Sequence, residues 1–234
     1  QTDWLFSHFL IATPYHQEVL NPLIDLEKQV IASVQLLRDG DQSALNDLVQ
    51  LIVHSGIGMA VVGNSNPASQ AEHMIAHYID TQVDFGEASK FLHGEIIAVT
   101  TLTMAALQEK ILSFEQLTFS PGSRYDHAWF NQVFGQEKAP EYWKAFQEKQ
   151  FSLEKQSNYQ QTLVVNWPEW RIKIQKNRLS QQLLSHVFKT IGLPTKPEHL
   201  KIRPGLYQEA VKHARFTRNR LTFLDLAAWL GLLP

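Results

Sequence analysis

Residues 64–101 read NSNPASQAEHMIAHYIDTQVDFGEASKFLHGEIIAVTT, and this stretch decides how the chain is interpreted. It opens with an Asn-Pro pair at 66–67, in which Asn suits a helix cap and Pro suits the first helical position. Ser69 and Glu72 also have the spacing of a capping box. We therefore predict a helix that begins between residues 66 and 70 and ends near residue 82.

Three histidines lie on this predicted helix and the next one. The run Asp-Phe-Gly-Glu at 84–87 breaks the pattern, and a second helix is predicted over residues 92–110. His73 and His77 lie four residues apart, so they share one helix face with β-carbons ~5–6 Å apart. His93 starts the second helix, and a helical hairpin would bring it against the first pair.

Neutral imidazole is a frequent metal ligand, so the three side chains suit a divalent ion such as Zn²⁺. The alternative is that they are ordinary histidines, one packed under the helix and another bonded to a carbonyl. The order Glu-His-x-x-x-His is not the metalloprotease motif, and the sequence holds no His-Asp doublet. Spacing alone therefore leaves both interpretations open.

The remaining sequence favours an all-α fold. Apolar residues recur near a 3.6-residue period in several segments, and we predict helices over residues 21–37, 43–62, 167–192, 207–215 and 222–233. Small residues at Gly56, Gly58 and Ala60 suggest the close approach of a neighbouring helix or ligand. A strand is suggested only by the short run Leu-Val-Val at 163–165.

The amino-acid composition changes over residues 120–168, where aromatic residues are interleaved with Gln, Lys and Glu. We predict short helices joined by loops there, with residues 120–165 as a flap or subregion of a single helical domain over residues 1–234. The aromatic residues are expected in the core or at an interface.

Composition excludes several classes of protein. The chain has 234 residues, of which 44% are hydrophobic, with a formal net charge of −2 and no cysteine. The near-neutral balance argues against nucleic-acid binding and electrostatic membrane docking, and the absence of cysteine excludes disulfides and cysteine nucleophiles. The uncharged run at 96–108 is too short to span a bilayer. We expect a soluble, cytoplasmic protein.

No nucleotide-binding motif is present. The Gly-Ile-Gly at 56–58 lacks the third glycine and the strand–loop–helix setting of a dinucleotide fingerprint, and no phosphate-cradling loop occurs.

Four passages resemble one enzyme family: GIGMAVVGNSNPASQAEHMIAHYIDTQ, LHGEIIAVTTLTMA, the opening TDWLFSHFL and the closing HARFTRNRLTFLDLAAWLGLL. They are similar to the carboxy-terminal helical domain of sn-glycerol-1-phosphate dehydrogenases, within the iron-containing alcohol dehydrogenase and dehydroquinate synthase superfamily. The Pro-Ala-Ser…Glu-His…His stretch and the His-Gly-Glu motif carry the resemblance, which covers most of the chain.

The resemblance implies site roles. His73 and His93 match metal ligands, and His77 matches the histidine that relays a proton or contacts substrate. The third ligand of the family is an aspartate that would fall upstream of Gln1, because Asp3 matches the aspartate of the Asp-Trp pair. The NAD(P)-binding domain would also lie outside this chain, so a longer protein was trimmed or the domain exists alone.

The implied function is hydride transfer between NAD(P)H and a small polyol or its ketone, foremost dihydroxyacetone phosphate and sn-glycerol 1-phosphate. Zn²⁺ is the favoured metal, with Fe²⁺ and Ni²⁺ acceptable. This chain alone should bind metal weakly, lack NAD(P) binding and be inactive. A homo-oligomer is compatible with the sequence. The alternative is a stand-alone, non-catalytic helical binding module derived from the family.

Several further residues have two interpretations. Asn66 and Gln70 stand where the family usually has Arg and Gly, so Asn66 supplies no charge for an anion. Glu95 either steers His93 or caps a turn, and His54 is expected in the core. A basic cluster near the carboxy terminus either binds an anion or is solvated: Arg215, Arg218 and Arg220.

Overall fold

The structure, a computed structural model, describes residues 1–82, 91–121, 125–149 and 153–234. The regular elements in these ranges are all helical, which confirms the all-α prediction; the expected break at 84–87 lies outside them. The α-helices are α1 (Thr2–Ile11), α2 (Gln17–Ala32), α3 (Val34–Arg38), α4 (Gln42–Val62), α5 (Ala71–Gln82), α6 (His93–Leu112), α7 (His127–Glu148), α8 (Leu153–Lys176), α9 (Gln181–Thr190), α10 (Pro204–His213) and α11 (Phe223–Trp229).

The centre of the fold is the pair α5 and α6, which pack against each other. Helix α5 also contacts α10 and the short 3-10 helix Ala214–Phe216. Met74, Ile75 and Ile79 on α5 are fully buried, as is Ile96 on α6. Burial of these side chains, worth ~1.5–3 kcal/mol each, fixes the two helices that carry the three histidines.

Asp3 joins four helices at one buried point. Its Oδ1 accepts the backbone N–H of Phe223 at 2.9 Å and the amide of Gln108 at 3.3 Å, while its Oδ2 accepts the N–H of Ala71 at 3.2 Å. Ala71 and Phe223 are the first residues of α5 and α11, so one carboxylate satisfies a helix-start donor in each. Burial raises the pKa of Asp3 to about 6, and the negative charge of Glu72 adds to this effect.

The start of α5 corrects the sequence prediction. The helix begins at Ala71, after the predicted window of 66–70, while its end at Gln82 is as expected. Glu72 accepts the N–H of Gln70 at 2.9 Å, so the local capping contact forms one residue later than the Ser69 pattern implies.

The aromatic region also differs from the prediction. Long helices, α7 and α8, occupy most of the stretch expected to hold short helices and loops, and the suggested strand at 163–165 lies inside α8. The helix expected over 167–192 is divided between α8 and α9, and that expected over 21–37 between α2 and α3. A backbone break does occur within α7, at Gly135, whose φ of 73° favours glycine.

Tertiary packing explains these long helices. Phe130 and Phe134 of α7 are buried in the main core, where both rings contact Phe216. The prediction that the aromatic residues are core is confirmed for these side chains; Phe151 lies outside the described residues. Packing of an apolar face stabilises a helix more than local propensity does.

A buried network of charged side chains lies at the carboxy-terminal end of α7. Lys149, the residue after the helix, donates to the backbone oxygen of Arg215 and lies 3.2 Å from a carboxylate oxygen of Asp225. Arg215 contacts the same carboxylate at 3.5 Å and the hydroxyl of Tyr125 at 2.8 Å. Burial lowers the pKa of Lys149 to about 8, although Asp225 opposes the shift. Arg215 is therefore structural, neither solvated nor free to bind an anion.

Helix α4 was predicted at 43–62 and forms with nearly those bounds. Asp41 caps it by accepting the N–H groups of Ser43 and Ala44. Gly58 is buried, and a β-carbon there would lie 2.8 Å from Val19 of α2, which confirms the predicted close approach. Gly56 faces open space, so the same prediction is wrong for it.

The outer side of α4 is apolar and exposed. Its large exposed side chains are Leu45, Val49, Ile52, Val53, Ile57 and Val61. Within the described ranges this helix alone is long and apolar enough to cross a membrane by length and composition, and 6% of the relevant window is buried. The sequence analysis did not identify this helix as a possible span. A single such helix is weak evidence for a membrane protein. His54 is exposed on α4 and bonds to the oxygen of Gln50, so the expectation of a core histidine is wrong.

Candidate metal centre

The α5–α6 pair brings the three predicted histidines together. His73 and His77 project from one face of α5, and His93 is the first residue of α6. The ring centroids of His73 and His93 are 5.7 Å apart, those of His77 and His93 are 4.9 Å apart, and those of His73 and His77 are 6.1 Å apart. The expected convergence of the three rings is present.

The arrangement fits a metal ion. One ring nitrogen from each histidine can be chosen so that all three lie within 4.8 Å of one another. Two nitrogens on a tetrahedral zinc lie ~3.3 Å apart, given Zn–N bonds of ~2.0–2.1 Å. Small rotations of the exposed or half-buried rings would close this difference. Three imidazoles suit Zn²⁺, Fe²⁺ or Ni²⁺ and do not select among them.

Asp80 holds one of the three rings. Its Oδ2 lies 2.7 Å from Nδ1 of His93, so a neutral His93 donates its Nδ1–H and leaves Nε2 with a free lone pair. The sequence analysis missed Asp80. The available signal was its position on α5, three residues after His77 and seven after His73, which places it on the same helix face.

Burial favours the neutral form of the two α5 histidines. Burial lowers the pKa of His73. The negative charge of Glu72 opposes this shift, whereas His93, Arg218 and Arg220 add to it. Burial also lowers the pKa of His77, with Arg218 as the next cause. Neutral imidazole is the form that binds metal, so protons compete less for these two sites than for ordinary histidines.

Glu95 has a different role from Asp80. Its Oε2 accepts the backbone N–H of Leu92 at 2.7 Å and so caps the start of α6. Of the two predicted roles, capping is the one formed. His93 is positioned by this capped helix start and by Asp80.

Arg220, near the carboxy terminus, holds the loop before α5 in place. Arg220 donates to the backbone oxygen of Ser69 and, at 2.7 Å, to the hydroxyl of Ser65. The two residues that depart from the family pattern contact each other, because the buried Gln70 side chain donates to the backbone oxygen of Asn66 at 2.8 Å.

Two cavities flank the histidines. One, of about 290 Å³, contains His73 together with Gln1, Thr2 and Glu72. The other, of about 520 Å³, contains His77 and residues of α7 and of the segment before α11. A ligand in either cavity can reach a ring of the cluster.

The curated proteins that this chain resembles include glycerol-1-phosphate dehydrogenases. No protein-family model matches the sequence. The chain is 28% identical over 128 residues to a glycerol-1-phosphate dehydrogenase (NAD(P)+) of Pyrococcus horikoshii, covering 53% of this chain and 36% of that protein. It is 23% identical over 225 residues to the enzyme of that name from Geobacillus thermodenitrificans, covering 95% of this chain and 48% of that protein. It is 32% identical over 105 residues to that of Hyperthermus butylicus, covering 45% of this chain and 29% of that protein.

The chain thus spans about half, or less, of the length of the curated relatives that it matches. It resembles a helical, carboxy-terminal portion of glycerol-1-phosphate dehydrogenases, which confirms the resemblance seen in the sequence motifs. The relatives are NAD(P)+-dependent by name, and the three histidines of this chain are a candidate metal site.

Proposed function

We propose that this chain is the metal-binding half of an NAD(P)-dependent polyol dehydrogenase that interconverts dihydroxyacetone phosphate and sn-glycerol 1-phosphate. The observation that carries the proposal is the convergence of three ring nitrogens within 4.8 Å, on two packed helices of a chain similar to glycerol-1-phosphate dehydrogenases. The nicotinamide cofactor would be bound by a domain outside residues 1–234, and substrate would lie between the two domains.

His73 and His93 are the proposed protein ligands, and His77 is the proposed proton donor. The cavity beside His73 supports a further ligand from outside residues 1–234, because Gln1 and Thr2 line the same space. A residue preceding Gln1 would enter beside the cluster. Two imidazoles and a carboxylate would leave a coordination position for substrate, as catalytic metal sites require.

When bound, the metal would polarise the carbonyl oxygen of the substrate. His77 would transfer a proton to that oxygen as hydride reaches the carbonyl carbon, and its half-buried ring beside the larger cavity is placed for this role. Asp80 would fix the orientation of His93 and contact neither substrate nor cofactor.

Zinc binding by the chain tests the proposal. Titration with Zn²⁺ against a chromogenic chelator should give one site per chain, abolished in His73→Gln and His93→Gln and retained in His77→Gln. His54→Gln, which removes an exposed histidine of α4, is the matched control and should bind like the parent chain. Unchanged zinc binding in His93→Gln would refute the ligand assignment.

Activity tests the role of His77. In the enzyme that includes the nucleotide-binding domain, His77→Gln should keep its metal and lower kcat by ~10²–10⁴-fold, because general acid catalysis contributes about that much. His73→Gln and His93→Gln should lose both metal and activity. Cytoplasmic location and a homo-oligomer remain part of this proposal.

A second candidate is a binding module without catalysis. The Gln70 side chain favours it, because it stands where the family has glycine and donates to the backbone oxygen of Asn66 in the loop that precedes α5. Such a module would show no turnover with any ketose and NAD(P)H, even in a protein that includes a nucleotide-binding domain. Turnover by that longer protein would exclude the module.

A further inference from the structure

The outer face of α4 carries a ridge and a groove. Large exposed side chains recur at every fourth residue and form the ridge: Leu45, Val49, Val53, Ile57 and Val61. Beside it runs a second four-residue row, in which the exposed Ile52 is followed by Gly56 and Ala60. Within one chain a β-carbon at Gly56 would meet no atom within 4 Å, so the two small residues leave a groove that opens to solvent. Rows with this spacing are the ridges and grooves through which helices pack.

The ridge and the groove lie on the side of α4 that faces away from the rest of the fold. The helix packs on α2 and α3 through its opposite side, where Ala44 and Gly58 are buried. On the ridge, Val49, Val53 and Ile57 keep 55%, 52% and 54% of their surface exposed. A contiguous apolar strip on a protein surface marks an interaction site.

The charge of the strip favours a second copy of itself. Asp47 is the one Asp, Glu, Lys or Arg residue of α4, and it is half-buried. A charged partner would find no complementary charge on this helix, whereas an identical strip would meet it without repulsion. Helices that lie on lipid surfaces carry Lys and Arg on their polar face, and α4 has neither.

The shape and size of the strip also suit a copy. In a two-fold interface one surface contacts itself, so the ridge of each α4 would lie in the groove of the other. The helix has 21 residues and is about 30 Å long at a rise of ~1.5 Å per residue. Burial of both strips with their polar rims would cover ~1,000–1,200 Å² in total, the size of a weak specific interface.

A nucleotide-binding domain is a less suitable occupant of this face. In the proposed enzyme that domain would cover the histidine cluster and the two cavities that contain His73 and His77. No residue of α4 lines either cavity. The strip therefore lies away from the expected contact between the two domains.

We propose that the outer face of α4 is the surface through which two copies of this chain associate, with the ridge of one copy in the groove at Gly56 and Ala60 of the other. The inference gives the homo-oligomer of the proposed function its contact surface. It rests on that function only for the position of the nucleotide-binding domain, and it does not depend on the metal.

Sedimentation velocity over a concentration series tests the proposal. We expect a monomer–dimer equilibrium with a Kd of about 1–100 μM, as suits an interface of this size. Val53→Lys, on the ridge, and Gly56→Leu, in the groove, should each weaken association by at least tenfold. Val165→Lys places the same charge at an exposed apolar position of α8 and should associate like the parent chain.

Both α4 positions are exposed, so each variant should keep the helical circular dichroism of the parent chain. Parent-like association in the folded Val53→Lys and Gly56→Leu variants would overturn the proposal. A parent chain that stays monomeric at concentrations well above the expected Kd would overturn it as well.

Cross-linking locates the contact. The chain has no cysteine, so Val53→Cys and Val165→Cys each introduce a single thiol. A short bismaleimide should join two copies of Val53→Cys in dilute solution and leave Val165→Cys monomeric. Equal cross-linking of the two variants would indicate random collisions and refute the assigned surface.

Other occupants of the face give different results. In the enzyme that includes the nucleotide-binding domain, Val53→Lys should also weaken association, and an unchanged oligomer there would refute the interface. Binding of the parent chain to vesicles of phosphatidylcholine and phosphatidylglycerol, lost in Val53→Lys, would assign the face to a lipid surface instead.

Zinc titration separates this inference from the proposed function. Val53→Lys should bind Zn²⁺ like the parent chain, because α4 contributes no residue to the histidine cluster. Association through α4 in a chain that binds no Zn²⁺ would keep the interface and refute the metal centre. Zinc binding by a chain that does not associate would keep the metal centre and refute the interface.

Discussion

Nδ1 of His93 lies 2.7 Å from Oδ2 of Asp80, and this contact ties the start of α6 to the last turns of α5. The two residues are 13 positions apart in sequence and belong to different helices. The contact fixes which nitrogen of His93 faces the other two histidines. Carboxylates in this position orient metal-binding imidazoles and raise their basicity.

Asp80→Asn should weaken zinc binding by about 10–100-fold while the fold is kept, because the amide no longer stabilises the orientation and basicity of His93. Chelator competition followed by absorbance measures this change. Asp25→Asn on exposed α2 is the control. Equal zinc affinity in Asp80→Asn and the parent chain would show that the carboxylate does not tune the site.

Asp3→Ala should lower the free energy of unfolding by ~2–6 kcal/mol, because two buried helix-start N–H groups, those of Ala71 and Phe223, lose their acceptor. Urea denaturation followed by circular dichroism measures the loss. Asp39→Ala, at an exposed helix end, should change stability by less than ~1 kcal/mol. If both variants unfold alike, Asp3 does not stabilise α5 and α11.

Two glycines of α4 should respond in opposite directions to alanine. Gly58→Ala places a β-carbon 2.8 Å from Val19 and should cost ~1–3 kcal/mol through overpacking. Gly56→Ala meets no atom within 4 Å and should stabilise the chain by ~0.5–1 kcal/mol through helix propensity. Thermal and urea unfolding of both variants give the comparison, and a stabilised Gly58→Ala would contradict the packing of α2 on α4.

Acid should destabilise the chain through His213. Burial lowers the pKa of His213 from 6.5 to about 4, and its buried Nδ1 has no hydrogen-bond partner among the described residues. Between these pH values the unfolded chain binds more protons, so stability rises with pH and is lost as pH falls from 6.5 toward 4. The raised pKa of Asp3 acts in the opposite direction over part of this range.

A variant isolates the contribution of His213. In His213→Phe, the loss of unfolding free energy between pH 7 and pH 5 should be smaller than in the parent chain, as measured by urea denaturation at each pH. The exposed His186→Gln should lose as much as the parent. An unchanged pH dependence in His213→Phe would place the acid sensitivity elsewhere.

Local patterns predicted the elements near the site well. The period of apolar residues predicted the bounds of α4 and α6 to within one or two residues. The four-residue spacing of His73 and His77 predicted that they share one face of α5. The hairpin that brings His93 against them was also expected. These features depend on contacts between residues close in sequence, which the order of side chains largely determines.

Predictions failed where contacts between residues far apart in sequence determine the structure. The aromatic stretch looked like short helices and loops, yet α7 and α8 are long because their apolar side chains are buried by residues far along the chain. The three arginines looked alike in sequence and have different environments: Arg215 is buried, Arg220 pins a loop and Arg218 faces a cavity.

The amino-acid sequence by itself determined the helical class, the histidine spacing and the resemblance to one dehydrogenase family, because periodicity and local motifs are properties of neighbouring residues. The tertiary structure alone decided that Asp80 holds His93, that Asp3 caps α5 from 68 positions away, and that Arg218 and His77 line one cavity. Hydrogen bonds and charges act over a few ångströms, so only the packed chain shows which distant groups they join.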